Sequence, residues 1–232
     1  MTEMMELIKS RRSLRAPYDP ERRVEPEKLA QILEAARWSP TAHNMQNFEI
    51  VVVDDPGVLD AIARIERPVS ETFVRENYAQ LSFSEEELLQ RRTGILGSMF
   101  PPSWRKPDFR LDDLSADEVA AMRRPLPASP LLLVVVYDPS RRAPASEGDF
   151  LGIVSLGCVM ENIWLAAESM GIGMHIVSSL SSGSEVKEIL GIPERLMIAF
   201  SCRLGYPASA PPPYLRVRRE VAGFTHRHRY AS

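Results

Sequence analysis

The sequence is poor in cysteine, and that scarcity removes two classes of protein at once. Cys158 and Cys202 are the only two among 232 residues; they form no CxxC and have no paired histidines nearby. A disulfide-built secreted module and most structural zinc sites are thereby excluded. A chain of this length buries about 70–75% of its unfolded surface and needs no such scaffold. Long unbroken apolar runs are also missing. The most apolar long stretch, 150–176, is interrupted by Glu161, Asn162, Glu168 and His175. A membrane span avoids those groups, so a buried helix is expected there. The first ten residues carry Glu3 and Glu6 without an apolar run, so no secretory leader is expected and the protein reads as soluble and cytoplasmic. An excess of positive charge is lacking too: the net charge is −3, which gives no general pull toward nucleic acid.

Positive charge is instead local. Arg11, Arg12 and Arg15 lie near the start, and Arg216, Arg218, Arg219, Arg227 and Arg229 near the end. Two separate arginine clusters in a mildly acidic chain suit a small anion better than a polyanion.

Residues 4–12 read as a helix. Pro26 fits a helix start, and Leu29, Ile32, Leu33 and Ala36 follow at i, i+3, i+4 and i+7, an amphipathic stripe. A strand is expected over 48–53, and Asp55-Pro56 opens a short helix through Ile65. Leu131 to Tyr137 is a continuous apolar run, the pattern of a central strand covered on both faces. Phe150 to Met170 reads as the longest helix, apolar on most sides and therefore buried. Gly171 and Gly173 end it, a strand is expected over 174–179, and a helix over 185–190 stops at Gly191 and Pro193. Met197 to Leu204 is the last strand. Residues 66–128 interrupt this pattern with two possible capping boxes, Ser84-x-x-Glu87 and Ser115-x-x-Glu118, around a stretch containing Phe100, Pro101, Pro102 and Trp104. That excursion reads as a segment packed over a partner or a pocket. A basic tail fills 208–232. Without repeats or a hinge-like linker, the chain reads as one α+β domain over 1–232.

Several motifs fail. Gly171-x-Gly173 lacks a third glycine, since Ile176 occupies the place, and it follows a helix where a dinucleotide fingerprint follows a strand. Gly152-x-x-Ser155-x-Gly157 is one residue too long for a nucleophile elbow; small residues allowing close helix packing explain it better. His226-x-His228 has no third ligand at a recognisable spacing, so no metal site is expected. Cys158 and Cys202 sit in apolar stretches and read as buried core thiols.

Three segments remain. Arg11-Arg12-Ser13-Leu14-Arg15 offers guanidinium groups and a hydroxyl after a helix. Ser39-Pro40-Thr41-Ala42-His43-Asn44-Met45-Gln46 presents hydroxyl and amide groups on a proline-fixed turn. Arg216 to Arg219 adds further guanidinium groups. Arginine's planar fork suits a phosphate, while Asn and Gln suit a ring that both donates and accepts hydrogen bonds. Taken singly, each has an ordinary structural reading as a solvated charge or a plain turn.

Taken in order, these segments resemble the nitroreductase family of flavoenzymes. The likeness continues through Tyr18, Asn47-Phe48, Met170-Gly171-Ile172-Gly173, Leu190-Gly191-Ile192-Pro193-Glu194, Leu204-Gly205-Tyr206-Pro207, and Arg218-Arg219 with His226 and Tyr230. It covers nearly the whole chain apart from 66–128. The resemblance implies an α+β fold with a central, mostly antiparallel sheet flanked by helices, in an intimate, domain-swapped-like homodimer with FMN at the interface. It further implies that Arg11, Arg12 and Ser13 hold the phosphate and ribityl chain and that Arg15 approaches the N1–C2=O end of the flavin. Pro40, Thr41, Ala42 and Asn44, with Gln46 beside them, come from the other subunit. Ile176 and Val177 pack along the ring, a backbone N–H at Ser178 or Ser179 faces N5, and Arg218 and Arg219 reach the phosphate with Arg216 as a helper. Two departures stand out: Ser178-Ser179 where Glu-Gly or a Thr-rich sequence is frequent, and Asn47-Phe48 where Pro-Trp is common.

The activity implied is ping-pong hydride transfer from NADH or NADPH through FMN to a small organic acceptor such as a nitroaromatic, a quinone or an enone. No catalytic side chain is required, in keeping with the lack of a triad or carboxylate pair. Phe100 and Trp104 are candidates for the roof of the substrate pocket. The alternatives are a specialised flavin enzyme of the same fold, either a reductive dehalogenase or a flavin-cleaving oxygenase, and a non-catalytic FMN-binding protein. Nucleic-acid binding lacks an aromatic–basic platform.

Overall fold

The computed structural model describes residues 2–91, 105–122, 126–180, 183–210 and 216–230. Contacts within the chain group into two compact units, Met1–Ile65 with Pro125–Pro211, and Glu66–Arg124 with Pro212–Ser232.

The first unit is built on one four-stranded sheet. Helices α1 (Glu3–Ser10) and α2 (Pro26–Arg37) precede β1 (Glu49–Val53), and α3 (Pro56–Ala63) follows it. In the second unit come α4 (Glu71–Phe73), running on through helical turns to Ser82, α5 (Glu85–Arg91) and α6 (Ala116–Ala121). The first unit resumes with β2 (Leu131–Tyr137), α7 (Phe150–Ser169), β3 (Gly173–Ile176), α8 (Ser184–Leu190) and β4 (Met197–Gly205). The spatial strand order is β1-β2-β4-β3, with every neighbouring pair antiparallel.

The continuous apolar run of β2 is explained by its position. Leu131, Leu133 and Val135 face one core cluster with Ile32 and Ala36 of α2 and Val159, Ile163 and Ala167 of α7. Leu132, Val134 and Val136 face the other, with Ile62 of α3 and Val186 of α8. Both faces of the strand are thus dry, and each such aliphatic side chain contributes about 1.5–3 kcal/mol by its burial. Helices cover the sheet on both sides.

Helix boundaries follow local chemistry. Pro26 occupies the first turn of α2, and Asp55 caps α3 by accepting from the Val58 N–H at 2.9 Å. Gly191 ends α8 in the left-handed region at φ 62°. Both serine–glutamate pairs form capping boxes: Glu87 and Glu118 each accept from the backbone N–H of the serine three residues earlier, and that serine's hydroxyl accepts in return.

Four expectations need correction. The strand expected over 174–179 ends at Ile176. The Val177 N–H still pairs with the Ser201 carbonyl at 2.7 Å, after which a short helical turn over Ser178–Leu180 carries Leu180 into the core. Helix α7 is buried on one face alone: Phe150 is 70% exposed, Ile153 59% and Val154 49%. It is also long and apolar enough, by length and composition, to cross a membrane, yet its inner face is core. Gly157 makes no close helix contact, since a Cβ there would meet nothing within 4 Å. Cys158 is half-buried, whereas Cys202 is fully buried and its thiol is pushed well above the ordinary range by desolvation.

Candidate active site

The arginine-bearing segment lies along the edge of the sheet. Helix α1 stops at Ser10, and Arg11 leaves it with extended backbone. Ser13 then forms a parallel bridge with Met174 of β3, and the Leu14 N–H donates to the Met174 carbonyl at 2.8 Å. Leu14 is buried while Arg12, Ser13 and Arg15 are half-buried, the alternation that an extended edge produces. Gly173 permits this approach. A Cβ there would collide with the Leu14 side chain, whose Cβ and Cγ lie 3.0 Å from that point. Gly173→Ala is expected to cost about 1–3 kcal/mol and to raise hydrogen exchange at the Leu14 amide. The double variant with Leu14→Ala should cost less than the sum of the two singles, which thermal melts will check.

Arg11 is directed by α7. Its Nε lies 3.2 Å from Oε1 of Glu161, and its guanidinium sits 4.5 Å from the centre of the Trp164 ring. The turn after α2 is held by the same helix. Asn162 Nδ2 donates to Ser39 Oγ at 2.9 Å and to the Ala35 carbonyl at 3.3 Å, and the Ala42 N–H donates to Ser155 Oγ at 3.0 Å. Six residues separate Ser155 from Glu161, about 9 Å along the helix axis. Within one chain, therefore, α7 holds the turn through Ser155 and Asn162 and the arginine segment through Glu161 and Trp164.

The turn itself is strained. His43, Asn44 and Gln46 have φ of 49°, 54° and 44°, a region that costs non-glycine residues about 1–3 kcal/mol each. The backbone is held there by anchors. Thr41 Oγ1 accepts from the Gln46 N–H at 3.1 Å, Gln46 donates to Asn44 at 3.1 Å, and Asn47 Nδ2 donates to the Asp138 carbonyl at 2.8 Å. Pro40, Asn44 and Gln46 are exposed, whereas Thr41 and Ala42 are half-buried.

Beyond Met174, β3 offers Ile176, half-buried against the first core cluster. The Val177 side chain is turned into the second cluster, its N–H is paired with the Ser201 carbonyl, and the backbone continues into the short turn over Ser178–Leu180. His175, on the Val177 side of the strand, meets Arg203 of β4. Arg203 Nη2 lies 3.0 Å from His175 Nδ1, and Nη1 donates to the carbonyls of Pro127 and Ala128 at 2.8 and 3.3 Å. The Tyr18 hydroxyl donates to the Arg203 carbonyl at 3.0 Å. Burial holds the Arg203 guanidinium below its usual range and the Tyr18 phenol well above its own.

The remaining candidates fall elsewhere. Arg216, Arg218 and Arg219 belong to the second unit and are exposed there. Phe100 and Trp104 lie outside the described residues. The His226 and Tyr230 rings stack with centres 4.2 Å apart, and among the described residues no group of three or more His, Cys, Asp or Glu is placed to hold a metal. A cavity of about 350 Å³ opens between Tyr18, Pro56, Leu59 and Pro127–Pro130, and its walls carry none of the candidate residues.

Ser155, Glu161, Asn162 and Trp164 position the site, and none is a site candidate in the sequence reading. The signal was present: Glu161 and Asn162 are two of the polar interruptions that exclude a membrane span. A polar pair in the middle of an apolar helix needs a partner, and here the partners are Arg11 and the Ser39 turn.

The chain belongs to the nitroreductase family, whose model matches residues 8–206; it is by family an oxidoreductase. Over 215 residues it is 25% identical to an NADPH-dependent oxidoreductase of Staphylococcus haemolyticus, covering 90% of this chain and 68% of that one. A shorter match, 37% identical over 75 residues, is to the NADPH-flavin oxidoreductase of Vibrio harveyi and spans 32% of this chain and 31% of that relative. Among solved structures, the nitroreductase with bound FMN from Bacteroides fragilis superposes with a TM-score of 0.58 at 22% identity, covering 97% and 98% of the two chains. That likeness concerns the fold.

Proposed function

We propose that this chain is an FMN-dependent NAD(P)H oxidoreductase acting on a small organic acceptor, as a soluble cytoplasmic homodimer with the cofactor at the subunit interface. The observation that carries the reading is the Ser13–Met174 bridge. It draws the arginine segment to the strand whose far end carries Ile176, Val177, Ser178 and Ser179, in a chain of nitroreductase family. The donor set suits a flavin mononucleotide: guanidinium groups of Arg11, Arg12 and Arg15 and the Ser13 hydroxyl stand on one edge, with the half-buried Ile176 beside them.

In this reading Arg11, Arg12 and Ser13 bind the phosphate and ribityl chain, joined by Arg218 and Arg219 with Arg216 nearby. Arg15 brings positive charge to the N1–C2=O end of the ring, where reduction makes the ring anionic. Pro40, Thr41, Ala42, Asn44 and Gln46 come from the partner subunit on the strained turn. Ile176 packs on the ring, and Val177, Ser178 and Ser179 contribute backbone, with an N–H toward N5. When bound, FMN would supply the hydride chemistry between NADH or NADPH and the acceptor. The protein's own part is to bind, orient and exclude solvent.

The test is an absorbance spectrum of the purified protein before and after anaerobic NADH or NADPH. Flavin bands that bleach are expected. No flavin, even after FMN is added, would sink the reading.

A further inference from the structure

We infer that Glu161 is a built-in competitor for the cofactor phosphate, a positioning residue that keeps FMN exchangeable by drawing on the charge of Arg11. The inference rests on the proposed FMN reading.

Glu161 and Trp164 lie three residues apart on α7 and so share one face of the helix. Trp164 is buried and supplies a flat surface on which the Arg11 guanidinium rests, 4.5 Å from the ring centre. Glu161 is 39% exposed at its side chain and stands beside the same guanidinium, 3.2 Å from Nε. The Nε–H does not point along that line: the pair is in ionic contact without an aligned hydrogen bond at Nε. That detail separates two opposite roles. A carboxylate that oriented Arg11 for a ligand would do so through a directional hydrogen bond, which is strong when aligned and weakens steeply with angle. The indole face supports the guanidinium. What Glu161 contributes is charge.

A negative charge touching Arg11 acts in two ways on a phosphate bound by the same arginine. It neutralises part of the cation, and it repels the phosphate at short range. Both weaken phosphate binding. In return, the carboxylate offsets the repulsion among Arg11, Arg12 and Arg15, which stand within five residues on one extended edge, when no anion is present. Its neighbour Asn162 faces Ser39 and Ala35, so a change at Glu161 can leave the turn's anchor intact.

The experiment titrates the cofactor-free full chain with FMN and with riboflavin, which lacks the phosphate, following flavin fluorescence. Glu161→Gln is expected to bind FMN roughly threefold to tenfold more tightly than the parent, with riboflavin affinity unchanged. Added salt should shrink the gain. Glu161→Asp, which keeps the charge, should stay near the parent ratio of FMN to riboflavin affinity. Equal tightening for both flavins, or FMN affinity in Glu161→Gln that is unchanged or weaker, overturns the inference while leaving the FMN reading standing. A parent chain that binds neither flavin overturns the reading and the inference together.

Discussion

Arg203→Ala should unfold about 10 °C below the parent, a loss of about 4 kcal/mol for a chain of this size. Arg203 is 1% exposed, and among the described residues its hydrogen-bond partners are carbonyls and an imidazole, not a carboxylate. Its charge is met by dipoles: the Pro127 and Ala128 carbonyls, the His175 ring nitrogen and, 5.1 Å away, the face of the Tyr18 ring. Desolvation holds the guanidinium below its ordinary range, yet arginine stays protonated, so the cost of burial is fixed and the interactions must offset it. Truncation takes a donor from the carbonyls of the exposed Pro127 and Ala128, where water can replace it, and from the half-buried His175 ring, and leaves a cavity where the buried side chain stood. Arg203→Lys keeps the charge and loses the fork, so it should fall between the parent and Arg203→Ala. A thermal melt of the three proteins checks the order. Because arginine can only donate, His175 must accept at Nδ1 and carry its proton on Nε2. The same substitution therefore removes one support of the ring that precedes Ile176, and the β3 end should become more mobile by hydrogen exchange.

Arg203 also shows where sequence reasoning stops. In the run Met197 to Leu204 it looks like a polar residue near the end of a strand. Its role depends on being opposite His175 across the ladder and beneath the 127–128 segment, contacts that sequence spacing cannot reveal. By contrast, the central position of β2 was legible from composition alone, because only a strand dry on both faces tolerates seven apolar residues in succession. The caps and stops at Pro26, Asp55, Ser84, Ser115 and Gly191 were legible for a related reason: they act on backbone within four residues. The end of β3 was not, since Ser178 turns to let Leu180 reach a core built by α3 and α8. The candidate site divides in the same way. Its arginines and its proline-fixed turn stand out as residue types. Their carriers on α7 do not, because Ser155, Glu161 and Asn162 gain meaning only from what meets them. The positive φ values at His43, Asn44 and Gln46 had no glycine to announce them, and alongside the local bonds of Thr41 and Asn44 they rely on anchors more than 90 residues away at Asp138 and Ser155.

If the chain forms the proposed homodimer of twice 26.1 kDa, Ile153→Asp should give a monomer and weaken the proposed FMN binding by more than tenfold, measured by light scattering and fluorescence titration. The outer face of α7 exposes Phe150, Ile153 and Val154, and α1, which packs against α7, exposes Met4, Met5 and Ile8. Exposed apolar side chains at i, i+3 and i+4 on one helix face, as at Phe150, Ile153 and Val154, mark an interaction site. Gly157, with open space where its Cβ would stand, leaves room on that face for a close approach. A two-fold interface would use each substituted position twice, so an aspartate at 153 brings two carboxylates into an apolar contact, each costing several kcal/mol to desolvate. Gln31→Glu on the exposed side of α2 is the control and should change neither mass nor affinity. The two readouts answer different questions. A variant that stays dimeric removes the α7 face from the interface. A monomer that keeps parental FMN affinity removes the turn over 40–46 from the partner's contribution, and the site would then lie within one subunit.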